Sequence, residues 1–195
     1  KTDIMYLAKG GFWLTIGQGI SMASALAISI AFAHFISKEA YGNYRYILSI
    51  TAILAIPTLP GMGTAITRAV ARGFEGTIFP GLQAKLKWGI LAIGASLITA
   101  GYYFWQGAPM LGWGFVVAAF LLPLANGFDI YNSLVLGRKK FSEFTVYNSI
   151  TQASLAACII AALTLTDNIV ALIATFYIAN TLLNAGCFFH AITKN

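Results

Sequence analysis

Charged side chains are scarce in this sequence. They make up 9% of its 195 residues, whereas 58% of the residues are hydrophobic. Because soluble domains carry about 25% charged residues, the composition excludes a water-soluble globular protein. It also excludes an intrinsically disordered chain, since disordered chains contain few apolar residues. The remaining class is a protein whose surface faces lipid.

The few charges are confined to short segments, and five long runs contain no Asp, Glu, Lys or Arg. These runs are residues 10–37, 46–67, 88–128, 144–166 and 168–193. A membrane-spanning helix needs about 20 mostly apolar residues, and the longest run has room for two helices, separated by Gln-Gly-Ala-Pro at residues 106–109. We therefore predict six transmembrane helices. They cover residues 11–36, 44–66, 86–106, 110–137, 144–166 and 168–192.

The predicted fold class is an all-α membrane protein, with one six-helix transmembrane bundle over residues 1–195. Helices satisfy their own backbone hydrogen bonds, which lipid cannot do for an exposed chain. Strands of a transmembrane barrel would alternate apolar and polar residues at every second position, and these runs do not.

Lys and Arg collect on one side of the predicted bundle. Ten of the twelve lie in the two terminal segments and in the second and fourth loops, whereas only Lys38 and Arg45 lie on the other side. Since basic residues favour cytoplasmic loops, we expect both termini in the cytoplasm. The net charge of +6 is then explained by topology and by anionic lipid headgroups, so no nucleic-acid partner is expected.

Sequence signatures of known catalytic chemistry are missing. There is no Walker A loop, no nucleophile elbow and no metal-ligand spacing. Cys158 and Cys187 both fall inside apolar runs, where a thiol behaves as a small hydrophobe. We expect no enzymatic activity and no bound cofactor or metal.

Small residues recur at every fourth position of the first predicted helix. One such stripe consists of Gly17, Ser21, Ala25 and Ser29, and Gln18 lies beside it. Small-residue stripes let helices approach closely in lipid, and close packing alone would explain this one. The alternative is that the thin helix lines a substrate path, where Gln18 would meet water or a polar partner.

The second predicted helix contains four helix-breaking residues near its end, namely Pro57, Pro60, Gly61 and Gly63. Proline removes a backbone donor and kinks a helix, so we predict a bent or broken second half. Such breaks often line the substrate cavity of transporters, which makes these four residues hinge candidates. A kink that serves packing alone is the alternative.

Two arginines follow this break at a spacing of four residues. On a helix, Arg68 and Arg72 would lie one turn apart on the same face. Paired guanidinium groups bind phosphate oxygens in bidentate fashion, so the two residues are a candidate pyrophosphate site. Their alternative role is to hold a loop in the cytoplasm.

Asp129 is the only acidic residue within a predicted span. A carboxylate at membrane depth is costly, so we expect Asp129 to face the interior, either in cation coupling or as a structural polar group.

The last two predicted helices carry amides in pairs at i,i+4 spacing: Asn148 with Gln152, and Asn180 with Asn184. These amides would bind sugar hydroxyls in a cavity or join neighbouring helices.

Three segments resemble a known family. They read LPGMGTAITRAVARG at residues 59–73, FISKEAYGNY at residues 35–44 and GRKKF at residues 137–141. Together they make the chain resemble bacterial polysaccharide-biosynthesis membrane proteins. These are the oligosaccharide and O-antigen flippases of the multidrug/oligosaccharidyl-lipid/polysaccharide exporter superfamily. The resemblance covers essentially the whole chain and implies that residues 35–44 form the first outer loop.

The resemblance implies a transporter of two related six-helix halves, of which this chain would be the N-terminal half. The implied activity is to move a polyprenyl-pyrophosphate-linked oligosaccharide across the bacterial cytoplasmic membrane by alternating access. Arg68 and Arg72 would meet the pyrophosphate, and Asp129, Asn148 and Gln152 would line the cavity. The implied partners are the lipid-linked oligosaccharide, membrane lipids, the second six-helix half and a polysaccharide polymerase.

Two alternatives stay open. One is a cation-coupled multidrug or small-molecule antiporter of the same superfamily, which would use Asp129 as its coupling carboxylate. The other is a membrane assembly partner that transports nothing.

The distribution of basic residues predicts which loops are reachable from outside the cell. In intact cells, the variants Gln106→Cys and Asp167→Cys should react with a membrane-impermeant maleimide, because their loops carry no basic residue. Lys139→Cys should react only after the membrane is permeabilised. Labelling in the reverse pattern would reject the predicted orientation.

Overall fold

The computed structural model describes the backbone of residues 2–193 and the side chains of residues 10–193. Lys1 and Lys194, which contribute to the charge count, lie outside the described residues. Within the described chain every regular element is a helix. Five helices are long and apolar enough to cross a membrane, or six if a bent pair forms one span. The predicted all-α membrane fold is confirmed.

The described chain forms eight α-helices. They are α1 (Thr2–Phe35), α2 (Lys38–Leu54), α3 (Met62–Ala71), α4 (Ile78–Trp105), α5 (Pro109–Phe128), α6 (Tyr131–Gly137), α7 (Phe141–Leu165) and α8 (Ile169–Thr193). Helices α2 and α3 together replace the second predicted helix, and α5 and α6 together replace the fourth.

The break between α2 and α3 follows from its sequence. A single 3₁₀ turn, Ile56–Thr58, contains Pro57 and is followed by Leu59 in the left-handed region at φ 58°. The Thr58 hydroxyl donates a hydrogen bond of 2.6 Å to the carbonyl of Ala55. The two halves of this broken helix are bent by 49°, so the predicted break is present.

The break between α5 and α6 was not expected from the sequence. Over this step the backbone amides reach back three residues, since Ile130 N donates to Gly127 O at 3.3 Å and Ser133 N to Ile130 O at 3.0 Å. The Asn132 amide donates to the Asp129 carboxylate, and local side-chain bonding of this kind competes with regular helix. The helix predicted over residues 110–137 is therefore interrupted at residues 129–130, although Pro109–Gly137 as a whole is long and apolar enough to be one membrane span.

Several helices begin earlier than predicted. Helix α2 begins at Lys38 because the Ser37 hydroxyl accepts a hydrogen bond of 3.2 Å from Ala40 N and caps the helix. Residues 38–44, expected as part of an outer loop, are therefore helical. Helix α4 begins at Ile78 rather than at residue 86, which places Lys85 inside a helix.

Five long helices pack side by side in a row, and the two short helices α3 and α6 pack on each other. Helix α1 lies along α7, α7 along α8, α8 along α5, and α5 along α4, while α3 packs on α6. We call the end where α3 and α6 finish the basic end, because it carries Arg68, Arg72 and residues 138–140. One apolar core lies around Phe115 and Ile173, and a second core lies around Tyr131 nearer the basic end.

Helices α4 and α5 approach most closely at a glycine. A Cβ atom added to Gly89 would lie 2.8 Å from Pro123 Cβ. Both residues are buried, so neither helix can move away without opening the core. The absence of a side chain at Gly89 therefore sets the spacing between the two helices.

Gly89→Ala should destabilise the protein by about 1–3 kcal/mol, the typical cost of overpacking. The measurement is thermal unfolding followed by size-exclusion chromatography of the membrane protein. Gly94→Ala is the matched control in the same helix, because a Cβ atom there would meet nothing within 4 Å. The control should be neutral or slightly stabilising, since Ala favours helix over Gly. Equal losses in both variants would contradict the close-approach explanation.

Candidate functional site

The two helix breaks face a shared cavity of about 430 Å³. The Asn126 amide donates to the Thr58 hydroxyl at 3.4 Å, which joins the α5 side of the cavity to the turn that follows α2. Binding pockets for small ligands typically measure about 300–1,000 Å³, so this cavity has the volume of a ligand site. Its polar lining residues are Thr58, Lys85, Asn126, Asp129, Tyr177 and Asn180.

A second cavity of about 210 Å³ continues the first and shares Asn126, Asp129 and Asn180 with it. Its lining is mainly amides and hydroxyls from α6, α7 and α8. The residues it adds are Ala125, Tyr131, Asn132, Asn148, Thr151, Gln152 and Asn184. We call the two cavities together the polar cavity.

The amides of the polar cavity retain hydrogen-bonding capacity. Asn184 donates to Asn180 Oδ1 at 2.9 Å, and Asn148 donates to Ser21 Oγ at 3.3 Å. Asn132 Oδ1 is buried without a partner among the described residues. Each of these carboxamides has two donors and one acceptor oxygen, so donors and acceptors are left for a bound molecule or water.

Lys85 is a residue of this site that sequence reasoning missed. Its side chain is only 5% exposed, and it lines the larger cavity together with Asp129. No described residue forms a hydrogen bond or ion pair with its ammonium group, although Asp129 acts on it electrostatically. The helix predicted over residues 86–106 starts after Lys85 and leaves it in the preceding loop. The signal was the small-residue face it shares with Gly81 and Gly89.

The other predicted site residues divide into two groups. Asp129, Asn148, Gln152, Asn180 and Asn184, which the sequence placed on three different predicted helices, line one polar cavity. The other three polar candidates are exposed and line neither cavity; they are Gln18, Arg68 and Arg72.

The arginine pair and the hinge candidates lie in or just after the first break. Arg68 is in the last turn of α3, and Arg72 is its C-terminal cap. Pro57 lies in the 3₁₀ turn, and Pro60 lines the larger cavity. The remaining two hinge candidates lie at the start of α3. Gly61 caps its N-terminus, and at Gly63 a Cβ atom would lie 3.0 Å from Ser133 Oγ of α6.

An ion pair ties the basic end together. Arg138 donates from Nε and Nη2 to the two carboxylate oxygens of Glu75 at 2.9 and 2.7 Å, and from Nη1 to the carbonyl of Ala191 at 3.3 Å. The hydrogen bond to Glu75 raises the pKa of Arg138 above its usual value. The pair therefore joins the segment before α4 to the ends of α6 and α8.

A polar cavity beside interrupted membrane-spanning helices is typical of transporters, and the fold is that of a multi-pass helical membrane protein. The family model for polysaccharide biosynthesis proteins matches residues 7–192. The chain belongs to this polysaccharide biosynthesis protein family, and the resemblance seen in the sequence is confirmed. No curated protein and no solved structure matches the chain.

The burial of Lys85 predicts a gain in stability when its charge is removed. Lys85→Met should stabilise the protein by about 1–3 kcal/mol, because burying an ionic group without a direct partner costs at least that much. Thermal unfolding of the purified protein measures the change. Lys87→Met is the matched control, since Lys87 is exposed two residues further along α4, and its effect should be small. Destabilisation by Lys85→Met would show that the ammonium group holds the fold together.

Proposed function

We propose that this protein moves a polyprenyl-pyrophosphate-linked oligosaccharide across the cytoplasmic membrane during the synthesis of cell-surface polysaccharide, and that it catalyses no chemical reaction. The observation that carries this proposal is the polar cavity, within a chain of the polysaccharide biosynthesis family. Sugar hydroxyls both donate and accept hydrogen bonds, and amides offer the same two functions.

The paired helix breaks support movement by alternating access. The halves on the basic side of the two breaks, α3 and α6, are packed tightly, since a Cβ atom on Gly137 would lie 2.6 Å from Val70 Cβ. Arg138 and Glu75 fasten the same region. We infer that α3 and α6 move as one unit, with the hinge at Pro57, Pro60, Gly61 and Gly63 and at the second break.

The arginine pair supports a separate place for the pyrophosphate. Arg68 and Arg72 are exposed at the basic end, and no hydrogen bond or ion pair engages their guanidinium groups within the described residues. Guanidinium groups suit pyrophosphate because each can bind two oxygens. In this proposal the basic end faces the cytoplasm, the pyrophosphate meets the arginines there, and the oligosaccharide enters the polar cavity.

The proposal includes a second six-helix half, which would close the other side of the path, and a polysaccharide polymerase that would receive the product. An apolar face of α1 is available for contact with such a half. It leaves Phe12, Met22, Leu26 and Ile30 more than half exposed. In a membrane, lipid or another helix bundle would cover that face.

A cation-coupled antiporter is the second candidate function, and the position of Asp129 favours it. This carboxylate lines both parts of the polar cavity, where a transported cation could reach it. An antiporter predicts drug or small-molecule efflux that depends on a cation gradient. The flippase predicts accumulation of a lipid-linked oligosaccharide when the protein is missing.

Deleting the gene should leave the lipid-linked oligosaccharide in the inner leaflet, and the wild-type gene should restore it to the outer leaflet. Leaflet-resolved chemical analysis of the glycolipid measures this directly. The double variant Arg68→Lys/Arg72→Lys should restore less glycolipid to the outer leaflet of the deletion strain than the wild-type gene does, because Lys acts as a point charge where Arg binds two oxygens.

The matched control is Arg45→Lys, an exposed arginine in α2, away from the basic end, which should complement fully. Full activity of the double Lys variant would leave Arg68 and Arg72 as topological charges only. Unchanged leaflet distribution after deletion would overturn the proposed flipping, and loss of cation-dependent efflux would favour the antiporter.

A further inference from the structure

The charged lining of the polar cavity consists of one cation and one anion. Lys85 and Asp129 both line the larger part, and Asp129 also lines the smaller part. Every other polar group among the described lining residues is an uncharged amide or hydroxyl. With both residues ionised, the formal charge of the cavity is zero.

The two charged groups differ in burial and in hydrogen bonding. Lys85 is buried in α4, and its ammonium group forms no hydrogen bond or ion pair with a described residue. Asp129 ends α5 at the second break, is exposed, and accepts a hydrogen bond from Asn132. The Asp129 carboxylate is thus held in place by its neighbour, and both charged groups line the space that a ligand would enter.

The balance of charge has a consequence for binding. A ligand carboxylate would be attracted by Lys85 and repelled by Asp129, and a ligand ammonium group would experience the reverse. Each would also lose hydration on entering the cavity, with no net charge there to compensate. An uncharged sugar loses less, since the amides can replace its hydrogen bonds to water.

We propose that Lys85 and Asp129 form a charge-selectivity pair, which makes the polar cavity accept uncharged sugar residues and disfavour acidic and amino sugars. The inference rests on the proposed function, because it names the class of carbohydrate that the cavity takes. It assigns Asp129 to discrimination between ligands rather than to cation coupling alone.

The test is a comparison of three related sugars with the full-length protein in lipid nanodiscs. Glucose, glucuronate and glucosamine are titrated at neutral pH, and saturation-transfer NMR reports each dissociation constant. The wild type should bind glucose most tightly. Asp129→Asn leaves an unopposed cation and should improve glucuronate relative to glucose by about tenfold. Lys85→Met leaves an unopposed anion and should improve glucosamine by a similar factor.

The double variant Lys85→Met/Asp129→Asn should return the preference to glucose, and glucose binding in each variant shows that it is folded. Two controls make the same charge changes outside the cavity: Lys87→Met in α4 and Asp167→Asn between α7 and α8, both at exposed residues. Neither control should alter the order of the three sugars.

The proposal is overturned if the wild type prefers glucuronate or glucosamine, or if the controls shift the preference as much as the cavity variants do. Failure of all three sugars to bind, with flipping intact in the leaflet assay, would overturn the selectivity pair and leave the transport function standing. If the sugars bind in the predicted order but deletion of the gene leaves the leaflet distribution of the glycolipid unchanged, the selectivity pair is supported and the proposed flippase function is rejected.

Discussion

The structure depends on one constraint: backbone groups released by a broken helix at membrane depth must find partners away from water. Lipid offers none, so irregular backbone persists only where it is buried in protein or lines a cavity. The first break meets that demand with help from α5, since the Thr58 hydroxyl donates to Ala55 O at 2.6 Å and accepts a hydrogen bond of 3.4 Å from the Asn126 amide. The polar cavity is the space that this shared solution leaves between the helices.

The same constraint explains the close packing of the short helices α3 and α6 on the basic side of the breaks. A short helix such as α6, with seven residues, has little stability of its own. It is held by close packing of Gly137 against Val70 and by the bidentate pair of Arg138 and Glu75. Helices α3 and α6 are thereby packed against one another on the basic side of the breaks.

Sequence patterns predicted the membrane spans and several residues that line the cavity, because a polar residue inside an apolar run avoids lipid and faces the protein interior. Asp129 and the amides of α7 and α8 were found in this way, and Pro57 revealed the first break. Lys85 was missed because the predicted helix starts at residue 86, immediately after it, whereas α4 begins eight residues earlier at Ile78. The second break lacks proline, and the separation of Arg68 and Arg72 from the cavity depends on packing between distant segments, which local spacing does not encode.

What the sequence does show at the cavity is a set of residues that weaken the fold. The ammonium group of Lys85 and the carbonyl oxygen of Asn132 are buried with no described partner, and each such group costs free energy of folding. Apolar residues at both positions would pack more favourably in a protein designed only to fold. Unfavourable groups of this kind tend to persist where function requires them. Lys85 lines the larger part of the polar cavity and Asn132 the smaller part, so both groups lie where the proposed substrate would bind.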